Sequence, residues 1–309
     1  MEIIRPGTTI DFIGKRKIAA VISIAVILIG IVSLVMKGGP RYGIDFAGGT
    51  MIQVAFKTDV TTEGIRDALA GVIEGTPVIQ SFVGKDNEYI IQMEEVVTTD
   101  LNGVEELVKG SLGKAFGQEN VSVSQAQMVG PKVGKDLREK GILAIIASMG
   151  MVLLYIWWRF ELHFGVGAIA ALVHDVLVTV GLFSLLDKQF DLTIIAALLT
   201  IVGYSLNDTI VVYDRARENL KKVGGRGDIA AIFNKSINET LGRTILTSIT
   251  TLLVVVALFV LGGGVIHDFA FALLVGVVVG TYSSVYVASP VVLLFNKRVA
   301  REAKAQAKS

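Results

Sequence analysis

Six long apolar stretches, separated by polar segments, are the dominant pattern along the chain. Each is about 20 residues long, enough for a helix to cross a bilayer core of about 30 Å. The first is also longer than a signal-peptide core of about 7–15 residues and is followed by no small-residue cleavage site, so we expect it to be retained. The pattern predicts six transmembrane helices, over Ile18–Met36, Gly141–Trp158, Phe164–Leu186, Leu192–Tyr213, Thr244–Gly262 and Asp268–Phe295.

Basic residues are distributed unevenly over the connections between these helices. The N-terminus, the connections after the second and fourth helices and the C-terminal tail hold 17, whereas the short connections on the other side hold only Lys188. The positive-inside rule, which does not apply to the long connection, therefore places both termini in the cytoplasm. The expected division is a cytoplasmic N-terminus 1–17, a first transmembrane helix 18–36, a periplasmic domain 37–140, a five-helix bundle 141–295 with a cytoplasmic loop 214–243, and a cytoplasmic tail 296–309.

The long connection has the alternating pattern of a small α+β domain. Its order β-α-β-β-α-β is that of the ferredoxin-like arrangement. The predicted fold class is therefore a polytopic α-helical membrane protein of six transmembrane helices, with a ferredoxin-like periplasmic domain inserted after the first. The expected elements are a strand Gly43–Phe56 interrupted at Gly48-Gly49, a helix Thr61–Ala70, a hairpin of strands Thr76–Phe82 and Glu88–Met93, a helix Thr99–Phe116 and a strand Val121–Met128.

Composition supports a membrane protein and excludes several kinds of site. Of the 309 residues 52% are hydrophobic and 18% charged, against about 25% charged in soluble domains. The absence of cysteine excludes disulfides, thiolate metal sites and a thiol nucleophile. A net charge of +1 provides no overall field that would attract nucleic acid.

Two carboxylates lie well inside the predicted helices: Asp175, beside His174, and Asp208, beside Asn207. An ionisable group at membrane depth costs about 2.5–3.5 kcal/mol and calls for an explanation. We interpret Asp208, close to the cytoplasmic boundary, as functional, and Asn207 as interhelical hydrogen-bonding glue. His174-Asp175 is either a structural pair or a relay, and Arg243 is either a snorkelling anchor or part of the site.

Small and polar residues recur at helical spacing on three of the helices, which predicts an interior with room for water or a proton path. These residues are Gly167, Ala171, His174, Asp175 and Thr179 on the third, Thr193, Ala197, Thr200, Gly203, Tyr204, Asn207 and Asp208 on the fourth, and Gly276, Gly280, Ser283 and Ser284 on the sixth.

The cytoplasmic loop is expected to contain a second, amphipathic helix. Gly224-Gly225 breaks the extension of the fourth helix, and Asp228 can cap a second helix. The apolar residues on one face of that helix are Ile229, Ile232, Phe233 and Ile237. We expect this helix to lie on the membrane surface or to pack on a partner.

Motifs of common enzymes are missing. No G-x-x-x-x-G-K-[ST], H-E-x-x-H or G-x-S-x-G sequence occurs, which argues against ATP hydrolysis, metalloprotease and serine hydrolase chemistry. The G-x-G-D element of intramembrane aspartyl proteases is matched only by Gly225-Arg226-Gly227-Asp228, in a polar loop. We therefore expect no enzyme activity and no cofactor or metal.

Five segments carry a family resemblance. On these segments, and over nearly its whole length, the chain resembles SecF, the smaller half of the SecD–SecF protein-export complex in the RND superfamily. The fourth-helix segment separates SecF from SecD. The segments are Tyr42–Thr50, Val129–Leu137, Val173–Val176, Gly203–Arg215 and Thr240–Thr244.

The resemblance implies a multi-pass protein of the bacterial inner membrane that pairs with SecD into a twelve-helix unit. Its implied partners are the SecYEG channel, YajC as a further candidate, membrane lipid and secretory preproteins, whose translocation is promoted by the proton motive force. The resemblance also links Asp208 and Arg243 to proton conduction, and Asn207, His174 and Asp175 complete the candidate relay. The alternatives are half of a proton-driven RND-type exporter of small molecules or lipids, which usually needs larger porter domains, and an intramembrane enzyme.

Overall fold

The structure, a computed structural model, describes residues 9–73, 77–81, 87–93, 101–223 and 228–295. These residues contain six helices that are long and apolar enough to cross a membrane. The six are α1 (Arg16–Met36), α5 (Pro131–Arg159), α6 (Leu162–Leu185), α7 (Leu192–Lys222), α8 (Ile229–Leu261) and α9 (Gly263–Ser283), the last of which continues as a π-helix over Ser284–Ala288 and then as a helix to Phe295.

The six helices divide into a central and a peripheral group. About half of the most apolar window is buried in α6, α7 and α9 (56%, 56% and 50%), against 17%, 11% and 17% in α1, α5 and α8. Exposed apolar side chains on α1, α5 and α8 are those expected of helices that face hydrocarbon. Helices α6, α7 and α9 therefore form the interior of the bundle.

The segment between α1 and α5 forms a four-stranded sheet with helices packed on it. Its elements are α2 (Ile44–Ala47), β1 (Gly49–Phe56), α3 (Thr62–Leu69), β2 (Val78–Ser81), β3 (Glu88–Met93), α4 (Leu101–Phe116) and β4 (Val121–Val129). The strand order is β2-β3-β1-β4 with every neighbouring pair antiparallel, and the sheet buries alternate β1 residues such as Ile52 and Val54 against α3 and α4. The ferredoxin-like order is confirmed.

The prediction of one strand over Gly43–Phe56 is wrong in its first half. Residues Ile44–Ala47 form the helical turn α2, and the strand begins only at Gly49. Gly48 makes the change of direction with φ 84°, and a Cβ there would lie 2.9 Å from Cα of Pro131. Both the positive φ and the close approach require glycine at this position.

A polar junction holds the sheet domain against the connection between α6 and α7. The Gln92 and Gln189 side-chain amides hydrogen-bond each other, and the Leu192 N–H donates to Asp45 Oδ2 at 3.0 Å. Asp187 pairs with Lys37 and Arg41, and the hydrogen bond from Lys37 lowers the pKa of Asp187 below its ordinary value.

The amphipathic segment of the cytoplasmic loop is not a separate surface helix, contrary to expectation. Asp228 caps it, accepting a hydrogen bond from the Ala230 N–H at 3.1 Å, but the helix continues into the membrane as α8. Its apolar residues Phe233 and Ile237 are buried in a cluster with Phe12 near the N-terminus. The chain itself, rather than the membrane surface, covers this apolar face.

Candidate functional site

Asp175 lies on α6 at the centre of the bundle and is fully buried. Its Oδ2 accepts hydrogen bonds from Ser205 on α7 at 2.6 Å and from Ser283 on α9 at 2.8 Å. Its Oδ1 lies 2.9 Å from Nδ1 of His174. These contacts join the three central helices, and they satisfy a polar group that hydrocarbon alone would not tolerate.

The hydrogen bonds continue from His174 to α1. His174 Nε2 lies 3.1 Å from Ser23 Oγ, which lies 3.0 Å from the Tyr282 hydroxyl. Tyr282 donates its proton to the Ala19 carbonyl at 2.9 Å. Ser23 must therefore donate to Tyr282 and accept from the Nε2–H of His174, which leaves Nδ1 as the atom facing Asp175.

The donor count has one consequence for the contact between His174 and Asp175. With Nε2–H directed to Ser23, the hydrogen bond between Nδ1 of His174 and Oδ1 of Asp175 needs a second hydrogen, carried by the imidazole or by the carboxyl. Through His174 the network links Asp175 at the centre of the bundle to α1.

Asp208 has a different environment. It lies on α7 with 2% of its surface exposed, and its Oδ2 is buried without a hydrogen-bond partner. Arg243 on α8 acts on it electrostatically but makes no ion pair with it within 4.0 Å. An ionised carboxylate so placed has only a distant cation for compensation, which makes its protonation energetically significant.

The predicted polar stripe on the fourth transmembrane helix is not one inward face, and that interpretation is corrected. Ala197 and Asp208 are buried, whereas Thr200, Gly203 and Asn207 are exposed. Successive residues differ by about 100° around a helix, so Asp208 turns inward while its neighbour Asn207 turns outward. Asn207 makes no hydrogen bond to another described residue, so its predicted role as interhelical glue stays a prediction.

The stripes on the third and sixth helices do face inward, as predicted. Gly167, Ala171, His174, Asp175 and Thr179 on α6 are all buried. On α9, a Cβ at Gly276 would lie 2.2 Å from Ile201, and a Cβ at Gly280 would lie 3.0 Å from Ser205. The small residues allow α9 to approach α7 closely enough for Ser205 and Ser283 to reach the same carboxylate.

The same segment of α7 carries Asp208 and contacts Asp175 of α6. Ser205, which binds Asp175, is three residues before Asp208, or about 4.5 Å along the helix. Ser205, Ser23 and Tyr282 are further members of the site that the sequence pattern did not predict. A signal existed for Ser23, which with Ser33 is one of two serines in the apolar part of α1.

A metal site is not formed by the described residues. Within the described ranges, no three His, Asp or Glu side chains lie together as ligands for a metal ion. The polar groups that the site presents are carboxyl, imidazole and hydroxyl groups.

Comparison with known proteins identifies the family. The family model described as protein export membrane protein SecD/SecF, C-terminal, matches residues 108–298, and the SecD/SecF GG motif matches residues 32–60. The protein translocase subunit SecF of Magnetococcus marinus is 48% identical over 309 residues, covering 99% of this chain and 98% of its own. The chain belongs to the SecF family. The SecF of Desulfurispirillum indicum is 44% identical over 293 residues, which cover 94% and 92% of the two chains.

A solved SecF-containing structure has the same fold. The crystal structure of SecDF from Thermus thermophilus, a translocon-associated membrane protein, matches 94% of this chain with a TM-score of 0.83 and 38% identity. The match covers only 39% of the SecDF chain, so this SecF-family chain spans about two fifths of that protein. Members of the family are transport components of the membrane, and SecF-family membership agrees with the six apolar helices.

Proposed function

We propose that this chain is the SecF half of a SecD–SecF unit that uses the proton motive force to promote translocation of secretory preproteins through the SecYEG channel. Support comes from the full-length similarity to SecF subunits and from the match to about two fifths of SecDF. YajC is a further proposed partner. The proposed location is the bacterial inner membrane, with both termini in the cytoplasm and the sheet domain in the periplasm, on the distribution of 17 basic residues against 1.

The proposal that a partner completes the site depends on one observation, which is that polar side chains near Asp208 are exposed on the surface of this chain. Asn207 and Arg243 are both exposed on α7 and α8, at membrane depth or near its boundary. An unpaired amide facing lipid is unfavourable, whereas a helix of a partner can supply the missing hydrogen bonds. We propose that this face pairs with SecD and that the pairing encloses Asp208 and Arg243.

Asp208 is the proposed site at which the coupled proton binds and leaves. One charge that crosses 100 mV gains about 2.3 kcal/mol. An ionised carboxylate at membrane depth costs about 2.5–3.5 kcal/mol, which is of the same size. The free energy of binding or releasing one proton at Asp208 is therefore large enough to favour one arrangement of the helices over another. Movement of Arg243 towards or away from Asp208 switches the carboxyl between its ionised and protonated forms. The His174-Asp175 pair is proposed as a second proton site that couples α6 to α1.

The test is translocation into membrane vesicles that contain SecYEG and SecD, with or without this chain, under an imposed proton gradient. We expect the gradient to increase the completed translocation of a secretory preprotein only when this chain and SecD are both present. Equal stimulation without the chain would contradict the proposal. Gradient-driven efflux of small molecules without any effect on preproteins would instead favour the exporter alternative.

A further inference from the structure

A groove runs along the outside of the bundle between α1, α6 and the end of the last helix. It has a volume of about 500 Å³, within the range of about 300–1,000 Å³ that ligand sites occupy. On α1 it extends from Arg16 to Ile27, a rise of about 16 Å at 1.5 Å per residue. The groove thus begins at one end of the transmembrane helix and reaches towards the middle of the membrane.

A backbone contact brings α1 and α6 together at the end of α1 away from Arg16. Gly30 and Gly181 touch through their backbones, since a Cβ on Gly30 would lie 2.7 Å from Cα of Gly181. One turn further along, Ser33 and Ser184 hydrogen-bond at 2.8 Å. Towards Arg16 the helices leave space between them.

The walls of the groove are apolar and open to the hydrocarbon. Ile24, Val173 and Leu294, one from each helix, are 58%, 40% and 65% exposed. The polar groups Ser23 and His174 in the wall already hydrogen-bond each other, so they leave mostly apolar surface for a ligand. An extended hydrocarbon chain is the ligand chemistry that fits these walls, because an empty gap would forfeit van der Waals contacts.

The mouth of the groove is positively charged. Arg16 and Lys17 lie in the first turn of α1, and no carboxylate lines the groove among the described residues. Arg16 donates to the Ile13 carbonyl at 3.2 Å, and neither cation makes an ion pair with a described carboxylate. Cations at a helix N-terminus interact unfavourably with the helix dipole, so they do not stabilise α1. A phosphate at this position would interact favourably with the two cations and with the N-terminus of the helix.

We propose that this groove binds an anionic phospholipid, with its phosphate at Arg16 and Lys17 and one acyl chain along Ala20, Ile24 and Ile27. The positive-inside rule accounts for cations at this level of the membrane but not for their place at the open end of an apolar groove. The bound chain would cover Ser23 and His174 from the lipid side and thereby close the hydrogen-bond network off from the bilayer. This proposal is independent of the protein-export function.

The experiment uses the full chain together with SecD in bilayer nanodiscs of phosphatidylcholine. The probe is phosphatidylglycerol with a photoactivatable acyl chain, and the comparison probe is phosphatidylcholine with the same chain. We expect phosphatidylglycerol to label peptides of α1 and α6 preferentially. Arg16→Gln and Lys17→Gln should each lower the apparent affinity about fivefold, the equivalent of about 1 kcal/mol per basic residue at an anionic lipid.

Two variants separate groove binding from general charge and from misfolding. Lys221→Gln with Lys222→Gln removes two neighbouring cations at the end of α7, outside the groove, and should leave labelling unchanged. Ala20→Trp fills the groove at an exposed position without a change of charge and should displace the lipid. Equal labelling by both lipids, labelling that survives Arg16→Gln with Lys17→Gln, or a protein cross-link that replaces the lipid would each overturn the proposal.

Discussion

The donor count around Asp175 predicts that asparagine and alanine at this position have different effects on stability. Asparagine can accept hydrogen bonds from Ser205 and Ser283 through its amide oxygen and can donate through its amide nitrogen to Nδ1 of His174. It therefore reproduces the arrangement in which a hydrogen lies between the side chain at position 175 and Nδ1 of His174. Alanine removes one hydrogen bond from each of the three partners inside the bundle.

The magnitude follows from the three hydrogen bonds. Interhelical hydrogen bonds in membrane proteins average about 0.6 kcal/mol and reach about 1.7 kcal/mol. Asp175→Ala should therefore lower the free energy of unfolding by about 2 kcal/mol and by no more than about 5 kcal/mol on these values. Asp175→Asn should cost less than about 1 kcal/mol, within the spread of a single bond.

The assay is reversible unfolding in mixed micelles with increasing dodecyl sulfate, followed by circular dichroism. Ser283→Ala serves as a single-bond reference, with an expected loss of about 0.6 kcal/mol. If Asp175→Asn is as destabilising as Asp175→Ala, the pair does not hold a shared proton and the donor count is wrong.

Three further predictions concern packing, capping and topology. Gly181→Leu places side-chain atoms against Gly30 and should separate α1 from α6. The measurement is a disulfide cross-link between cysteines introduced on the two helices, which should form in the parent protein and be lost in the variant. Asp191 caps α7 through a side-chain oxygen, and burial raises its pKa. Because asparagine can cap a helix in the same way, Asp191→Asn should preserve thermal stability. Asp191→Ala, which removes the cap, should cost about 1 kcal/mol of stability. Reporter fusions after Lys188 should be periplasmic and those after Gly225 cytoplasmic; the reverse pattern would contradict the proposed orientation.

The sequence determines the transmembrane helices and the sheet order because both depend on long periodic patterns. Hydrophobic stretches of about 20 residues have few alternatives to a membrane helix, and the alternation of β1 leaves only one face for α3 and α4. One local element departs from these patterns. The turn of helix at Ile44–Ala47 has strand-like residues, and its conformation is decided by Gly48 and its approach to Pro131.

The candidate site was predictable in its charged members and in the polar stripe that contains Ser283. Asp175 and Asp208 are conspicuous because carboxylates are costly at membrane depth. Ser205 was not predictable, since serine is common on transmembrane helices and only the packing of α7 against α9 brings it to the same carboxylate as Ser283. The direction of Asn207 was misjudged because spacings of three and four define a broad face, and residues at its edges point to opposite sides of the helix.

Gradient-stimulated translocation by the Asp208→Asn variant tests the central claim most directly. Asparagine keeps the shape of the side chain but cannot ionise. Asp214→Asn, six residues further along α7 at an exposed carboxylate, is the matched control. Both variants should insert and bind SecD. Asp208→Asn should lose the stimulation by an imposed proton gradient while Asp214→Asn retains it; full stimulation with Asp208→Asn would contradict the account and move the proton path to His174-Asp175 or to the partner.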